Sequence, residues 1–232
     1  MNYSIKQDTA FPLVMVNLSQ GEEIKIENGC MAYHNGEVSL EGAMNSGGGG
    51  GLGGFMKAVG RSMVSGESIF ITHAKGLTNG AVIALAPSVP GSVYELKIGE
   101  NQWRVNDSAF FACDGGVSYS VKRQSIGKAI FGGTGGLFVM ETNGSGTMLV
   151  NSYGDIEKIE MDGSKKYVID NSHVIAWTTT LDYNIKAASG VFGFTTGEGL
   201  VNEFNGRGTV LIQSRNIKSL AEAVARYIPS KG

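Results

Sequence analysis

The chain has little of what a disulfide scaffold or a membrane-spanning protein needs. Only two cysteines, Cys30 and Cys113, occur in 232 residues, and they stand in no spacing typical of a metal site. We expect two small buried apolar side chains, with a disulfide-bonded or redox-active pair as the alternative. No apolar run approaches the roughly 18 residues that span a bilayer, and the N-terminus has no signal-peptide or transit-peptide pattern. These absences favour a cytoplasmic protein.

Charge is scarce and nearly balanced. The chain has 19 Lys and Arg residues against 21 Asp and Glu residues, so its formal net charge is −2. A protein that binds nucleic acid through many phosphates carries a basic excess or a basic stripe, and the lack of both disfavours a nucleic-acid partner. With 42% hydrophobic and 17% charged residues, the composition excludes intrinsic disorder, and the lack of charged heptads excludes a coiled coil.

No set of residues in the sequence points to a reaction. The three histidines, His34, His73 and His173, stand in none of the paired spacings that bind a metal. The serine-nucleophile pattern Gly-x-Ser-x-Gly is absent, and the carboxylates are scattered through predicted turns. A glycine pattern that begins at Gly49 matches the dinucleotide fingerprint only formally, because its surroundings predict antiparallel strands. We therefore expect a protein that is not an enzyme and that binds no cofactor and no metal.

Glycine, by contrast, is abundant, at 35 of 232 residues. It marks turns between short segments in which apolar and polar residues alternate, and a two-residue period is typical of a strand with one buried face. Three sets of similar segments recur in the same order along the chain. The first set is Met31-Ala32-Tyr33, Phe111-Ala112-Cys113 and Ile175-Ala176-Trp177. The second set alternates at 38–41, 117–122 and 181–186, and the third begins at Gly80, Gly146 and Gly208.

We interpret these sets as three copies of one antiparallel β module, over about residues 1–87, 88–152 and 153–215. One such module has a single apolar face that it cannot bury alone. The copies are therefore expected to pack together in a single domain, around a pseudo-threefold axis. The predicted fold class is all-β, an antiparallel β-sandwich or prism of three pseudo-symmetric repeats with short helical insertions.

The last part of the chain departs from the strand pattern. Pro229 follows residues 216–228, in which apolar side chains recur at helical spacing at Ile217, Leu220, Val224 and Ile228. This spacing predicts a C-terminal helix that lays its apolar face on the sheet.

The first unit also contains a glycine-rich insertion, over residues 43–65. Its second half has an apolar stripe at helical spacing with basic neighbours, formed by Phe55, Met56, Lys57, Val59, Arg61 and Met63. The second unit has a counterpart at Lys128, Ile130 and Phe131. Basic amphipathic segments bind membrane surfaces or protein partners, so these residues are the candidate interaction site. The alternative is a flexible tether before a short helix.

Five motifs occur in a distinctive order along nearly the whole chain. They are Gly66-Glu67-Ser68-Ile69-Phe70, Ala86-Pro87, Pro90-Gly91, Gly197-Glu198-Gly199-Leu200-Val201 and Gly206-Arg207-Gly208-Thr209-Val210. Together they resemble the altered-inheritance-of-mitochondria family of proteins. The resemblance implies a β-sandwich of the kind seen in the tryptophan RNA-binding attenuator protein, and it supplies no catalytic residue and no cofactor.

The sequence therefore predicts a scaffold or binding protein that self-associates into a homo-oligomer. Low charge and exposed strand edges favour self-association, because uncovered edges tend to pair with other chains. A membrane surface or a protein is the expected further partner, through the glycine-rich insertion. The alternative function is an RNA- or small-ligand-binding module, and salt-dependent retention on single-stranded RNA would identify RNA binding.

Overall fold

The computed structural model describes residues 1–6, 10–44, 70–123, 138–188 and 199–228. These residues form nineteen strands, two short 3-10 turns and one α-helix. Every pairing between the named strands is antiparallel. The predicted all-β class is confirmed.

A leading strand, β1 (Asn2–Lys6), precedes three series of six strands, which we call units 1 to 3. Unit 1 contains β2 (Leu13–Leu18), β3 (Glu23–Glu27), β4 (Met31–His34), β5 (Val38–Met44), β6 (Phe70–Gly76) and β7 (Ala81–Leu85). Unit 2 contains β8 (Val93–Ile98), β9 (Trp103–Asn106), β10 (Phe110–Asp114), β11 (Val117–Arg123), β12 (Phe138–Gly144) and β13 (Gly146–Asn151). Unit 3 contains β14 (Ile156–Asp162), β15 (Tyr167–Asp170), β16 (Val174–Thr178), β17 (Asp182–Ala187), β18 (Leu200–Asn205) and β19 (Arg207–Gln213).

All three units pair their strands in the same order. The first, sixth and third strands of a unit lie side by side, and so do the fourth, fifth and second strands. In unit 1 these two halves are β2-β7-β4 and β5-β6-β3, with β1 added outside β2. Residues that hold the same place in this pairing order are called counterparts below.

Neighbouring units are joined strand to strand. The second strand of unit 1, β3, pairs with the third strand of unit 2, β10. The second strand of unit 2, β9, pairs in the same way with the third strand of unit 3, β16. Each joint fuses two three-stranded halves into one six-stranded sheet. Two strands at the joint positions, β4 and β15, have no such partner among the described strands.

The buried apolar side chains form three clusters, which contain for example Val16 in the first, Phe110 and Met148 in the second, and Trp177 and Phe204 in the third. Alternation explains the burial of Val14, Val16 and Leu18 along β2, since every second side chain points into the same layer. All five residues of β16 are buried, so both faces of that strand are covered. Packing of the three units around a pseudo-threefold axis stays a prediction. Among the described strands, β4 and β15 do not pair with each other.

The repeat correspondence inferred from sequence is one residue out in unit 1. Met31, Phe110 and Val174 each open the third strand of their unit, and each precedes a bulge in the pairing. Met31 is therefore the counterpart of Phe110, not of Phe111. Residue similarity matches Ala32 with Ala112 and Ala176, whereas the strand pairing places Tyr33 at the position of those two alanines.

One helix, α1 (Ile217–Ala225), follows the strands, and the Asn216 side chain caps it by accepting the Ser219 N–H at 2.8 Å. The predicted helix is present, but its predicted contact with the sheet is wrong. No residue of α1 is buried, and its apolar side chains, such as Leu220 and Val224, are exposed. The helical spacing of the apolar residues predicts a helix with one apolar face, but it does not indicate which surface that face contacts. Within the described ranges, no helix is long and apolar enough to span a membrane.

The segments that lead into units 2 and 3 lie against each other. Gly91, before β8, and Gly154, before β14, form a parallel bridge outside the named strands. The Gly91 N–H donates to the Ala10 carbonyl oxygen at 2.7 Å, and the Gly154 N–H donates to the Pro90 carbonyl oxygen at 2.9 Å. The Ser152 hydroxyl donates to the Gly154 carbonyl oxygen at 2.7 Å. The Pro90-Gly91 motif is thus a backbone contact between two units.

Candidate interaction site

The exposed large apolar side chains of the described strands all lie on β4 and β15 or beside them. They are Met31 and Tyr33 on β4, Leu40 on β5, and Tyr167 and Val168 on β15. The other exposed large apolar side chains in the described ranges lie in or just after α1, or in two loops. We call β4 with Leu40, and β15, the two open ends of the protein.

The side chains of β4 are exposed where their counterparts are buried. Met31 is 36% exposed, whereas its counterparts Phe110 and Val174 are 1% and 3% exposed. Tyr33 is 50% exposed, whereas its counterpart Ala112 is fully buried. Burial in units 2 and 3 comes with a neighbouring strand, β3 or β9, that β4 lacks. This end of the sheet is therefore built like an interior strand that is missing its neighbour.

The other open end shows the same contrast. Tyr167 of β15 is 37% exposed, whereas its counterparts Ile24 and Trp103 are 0% and 8% exposed. Val168, the next residue, is 59% exposed. Because β3 and β9 are each covered by the following unit, the exposure of β15 also reflects a missing neighbour.

The Lys25 side chain of unit 1 binds unit 2 at the joint between them. The Lys25 ammonium, on β3, donates to the Val117 carbonyl oxygen at 2.6 Å and to the Gly115 carbonyl oxygen at 3.3 Å. It also lies 6.0 Å from the ring centre of Tyr119, within reach of a cation–π contact. The second strand of one unit thus holds the turn and the fourth strand of the next.

The joint between units 2 and 3 repeats this arrangement with an arginine. Arg104, the counterpart of Lys25, donates to the Leu181 carbonyl oxygen at 3.1 Å and to the Thr179 carbonyl oxygen at 3.4 Å. Its guanidinium lies 5.3 Å from the ring centre of Tyr183, the counterpart of Tyr119. A cation, two turn carbonyls and a tyrosine therefore recur at both internal joints.

The described residues do not assemble a metal site. Among them, no group of three or more His, Cys, Asp or Glu side chains is placed to hold a metal ion. Each histidine is tied into local structure: His34 to the backbone of its own turn, His73 to the Glu23 carboxylate at 2.6 Å, and His173 to the Gln213 carbonyl oxygen at 2.6 Å. These contacts agree with structural roles for all three.

The cysteines and tryptophans are also placed as core residues. Cys30 and Cys113 are free and buried, and burial raises the pKa of both thiols to about 12. Such thiols stay protonated at neutral pH and react slowly. Trp103 and Trp177 are buried, so neither offers a ring to stack on a nucleic-acid base.

A cleft of about 380 Å³ opens near the joint between units 2 and 3. Polar side chains dominate its lining, which consists of Gln102, Ser118, Tyr119, Ser120, Glu141, Thr142, Asn143 and Thr179. Hydrogen bonds from Lys122 and Arg104 hold the pKa of Glu141 below its usual range, so this carboxylate is ionised and paired. The polar lining of the cleft is compatible with the alternative hypothesis of a small polar ligand.

Beside the first joint, the Glu27 carboxylate accepts the Asn151 amide N–H at 3.3 Å, and burial raises its pKa to about 7. Below about pH 4.5 the carboxyl is protonated in both the folded and unfolded states; between about pH 4.5 and 7 only the unfolded chain ionises, so stability falls as pH rises. We expect Glu27→Gln to stabilise the fold by about 1–2 kcal/mol at pH 8, after discounting for partial exposure, and to have little effect at pH 4. Urea unfolding at both pH values measures this.

The matched control for Glu27→Gln is Glu100→Gln, at an exposed turn. It should change stability by less than about 0.5 kcal/mol at either pH. A gain from Glu27→Gln that is equal at pH 4 and pH 8 would contradict the assigned cause, because the effect would then not depend on ionisation.

The interaction residues predicted from sequence lie outside the described residues: Phe55, Met56, Lys57, Val59, Arg61, Met63, Lys128, Ile130 and Phe131. The flanking strands show where their segments connect. Residues 45–69, 124–137 and 189–198 each link the fourth strand of a unit to the fifth. Sequence reasoning missed the open ends, because β4 and β15 carry the same strand pattern as their counterparts. Only the pairing reveals which of these strands lack a neighbour.

The fold defines a class: an all-β protein of repeated antiparallel modules, in which β4 and β15 have no partner from another unit among the described strands. The family model described as mitochondrial biogenesis AIM24 matches residues 3–215. The chain belongs to this family, and the resemblance inferred from its motifs is confirmed.

Two relatives come from Streptococcus pyogenes. An uncharacterised protein of serotype M6 is 48% identical over 231 residues, which cover 99% of this chain and 92% of that protein. A second protein, solved by X-ray crystallography, is 45% identical, with a TM-score of 0.81 and coverage of 98% of this chain and 99% of the other. Neither relative's name states an activity.

Proposed function

We propose that this protein is a non-enzymatic cytoplasmic scaffold that self-associates through its open ends. The observation that supports this most is the burial contrast: β4 and β15 expose side chains whose counterparts are buried at two internal joints. A strand that is paired along only one edge offers the N–H and C=O groups of its other edge to another chain, and exposed apolar side chains along it favour a contact that excludes water.

The charge of the molecule is compatible with self-association. A net charge of only −2 gives little long-range repulsion between copies. The ion pairs beside β15 point the same way, because Lys166 and Lys186 both bind the Glu203 carboxylate, at 3.3 and 2.6 Å. These two ammonium groups and one carboxylate leave a single excess positive charge, which gives only weak repulsion between copies.

The test of self-association is the mass of the particle in solution. We expect light scattering to show at least two chains per particle at tens of micromolar, with the mass falling towards 24.4 kDa on dilution. Dilution should shift the mass because two edge strands with a few apolar side chains form a contact of moderate affinity. A strict monomer at tens of micromolar would contradict the proposal.

We propose a separate role for the glycine-rich insertion, which binds a membrane surface or a protein partner through its apolar and basic stripe. Support comes from the sequence pattern and from the equivalent position of the connecting segment in each unit. Deletion of residues 47–63 is therefore the control for the mass measurement. It should leave the particle mass unchanged and abolish co-sedimentation with anionic vesicles or a protein partner; unchanged association after the deletion would refute this role.

A further inference from the structure

Building on the proposed self-association, we infer that the contact is head-to-tail: β15 of one copy pairs antiparallel with β4 of a second copy. The chain itself makes this type of joint twice, at β3–β10 and at β9–β16. In each case a second strand of one unit meets a third strand of another. The open ends are the one second strand and the one third strand among the described strands that lack this partner, so each end is complementary to the other.

The internal joints also specify the register of the new one. Ala112 lies opposite Ile26 at the first joint. Their counterparts Ala176 and Val105 lie opposite each other at the second joint. Carried over to the open ends, the same register places Tyr33 of one copy opposite Ile169 of the next. The half-exposed Tyr33 would then lie where Ala112 is buried.

The side chains at the cation position support this assignment. Val168 in β15 is the counterpart of Lys25 and Arg104. The three residues lie opposite His73, Glu141 and Glu203, which hold the same place on the fifth strand of their units. Leu40 in β5 is the counterpart of Tyr119 and Tyr183. Both members of the cation–tyrosine pair are therefore replaced, and the replacements are a matched aliphatic pair.

A matched replacement is what a third joint between two copies would need. Within one copy, Val168 and Leu40 are 59% and 38% exposed, so neither gains from being aliphatic there. Across a head-to-tail contact they would face each other and bury apolar surface. Replacement of only one member would have left a cation facing an aliphatic side chain, or a valine facing a tyrosine.

Because the two ends of the contact are different surfaces, the assembly is heterologous. Such contacts produce a closed ring when the rotation between copies closes and a filament when it does not. A symmetric dimer, in which β4 pairs with β4 or β15 with β15, uses the same exposed strands and is the competing arrangement.

Disulfide trapping separates these arrangements. Two single-substitution chains, Tyr33→Cys and Ile169→Cys, are oxidised separately and after mixing. Two cysteines are bridged only when their Cα atoms lie within about 7 Å. We expect a cross-linked dimer in the mixture and none in either chain alone. Oxidation of the unsubstituted chain controls for the native Cys30 and Cys113, because Cys30 is 5% exposed and Ile169 is only 9% exposed.

Each other outcome has a definite meaning. Cross-linked dimers of one substituted chain alone would overturn the head-to-tail contact in favour of a symmetric one. A cross-link within a single chain carrying both substitutions would overturn it in favour of ring closure inside the molecule. No cross-link in particles larger than one chain would overturn the β15–β4 contact and leave self-association standing. Particles of one chain only would overturn both.

A charge swap tests the paired side chains directly. Val168→Lys should weaken self-association at least about tenfold, because a lysine would lie against Leu40 without its tyrosine and without full hydration. Adding Leu40→Tyr recreates the internal cation–tyrosine pair and should restore the affinity to within about threefold of the native value. Urea unfolding checks that both variants remain folded. If Leu40→Tyr gives no recovery, Val168 and Leu40 do not meet, and the register is wrong.

Discussion

Replacing Gly91 with alanine should destabilise the protein by about 3–4 kcal/mol and lower its melting temperature by roughly 10 °C. A Cβ atom at this position would overlap the Ser152 carbonyl oxygen and lie 2.8 Å from the Gly154 nitrogen. Both are backbone atoms held by the bridge between units 2 and 3, so neither can rotate away. Thermal and urea unfolding of the variant measure the loss.

The matched control is Gly80→Ala. Its Cβ would meet nothing nearer than the Glu37 carboxylate at 3.4 Å, which is an ordinary contact with a movable side chain. We expect a change below about 1 kcal/mol. If the Gly91 variant were as stable as the Gly80 variant, the close approach of the two backbones at Gly91 would not be required for the fold.

Trp177→Ala should cost about 3–5 kcal/mol, the range for removing a large buried aromatic side chain. Trp177 lies in β16, at the joint with unit 2 and opposite Arg104. Its ring contacts Tyr183 and Phe204 edge-on, with centroid distances of 4.9 and 5.5 Å. Loss of the ring therefore leaves a cavity and removes two aromatic contacts. Urea unfolding monitored by circular dichroism measures the effect.

Trp177→Phe is the variant that tests the cause. The indole N–H of Trp177 has no hydrogen-bond partner among the described residues, so phenylalanine keeps an aromatic ring and removes a buried unpaired donor. We expect its loss of stability to stay within about 1.5 kcal/mol. Equal losses in the Phe and Ala variants would show that something other than ring packing makes this position important.

The strand class and the order of the modules could be predicted from sequence, because alternation and glycine turns are local signals. The run Val117–Lys122 falls within β11, and the helix near Leu220 is present. The exact register could not be predicted. A bulge after Met31 shifts the pairing by one residue, and such a shift moves side chains to the other face of a sheet.

The candidate site was beyond sequence reasoning for a different reason. Tyr33 and Val168 belong to strands with ordinary patterns, and their exposure depends on which strand lies beside them. That neighbour comes from a different unit, far away along the chain. The sequence did contain one signal: Val168 and Leu40 depart from the Lys or Arg and the Tyr of their counterparts. This difference can be recognised only after the strand pairing has aligned the three units.

The joint between units has a consequence for synthesis on the ribosome. β3 pairs with β6 of its own unit but gains its second neighbour only when β10 emerges, and β9, which pairs with β12, gains its second neighbour only with β16. Domains and their parts form in order from the N-terminus during translation. β4 has a free edge once the first unit has folded, so under the proposed head-to-tail contact β15 of a finished copy would be able to pair with it while translation is still running. Neighbouring ribosomes on one messenger would then supply successive copies to a growing assembly.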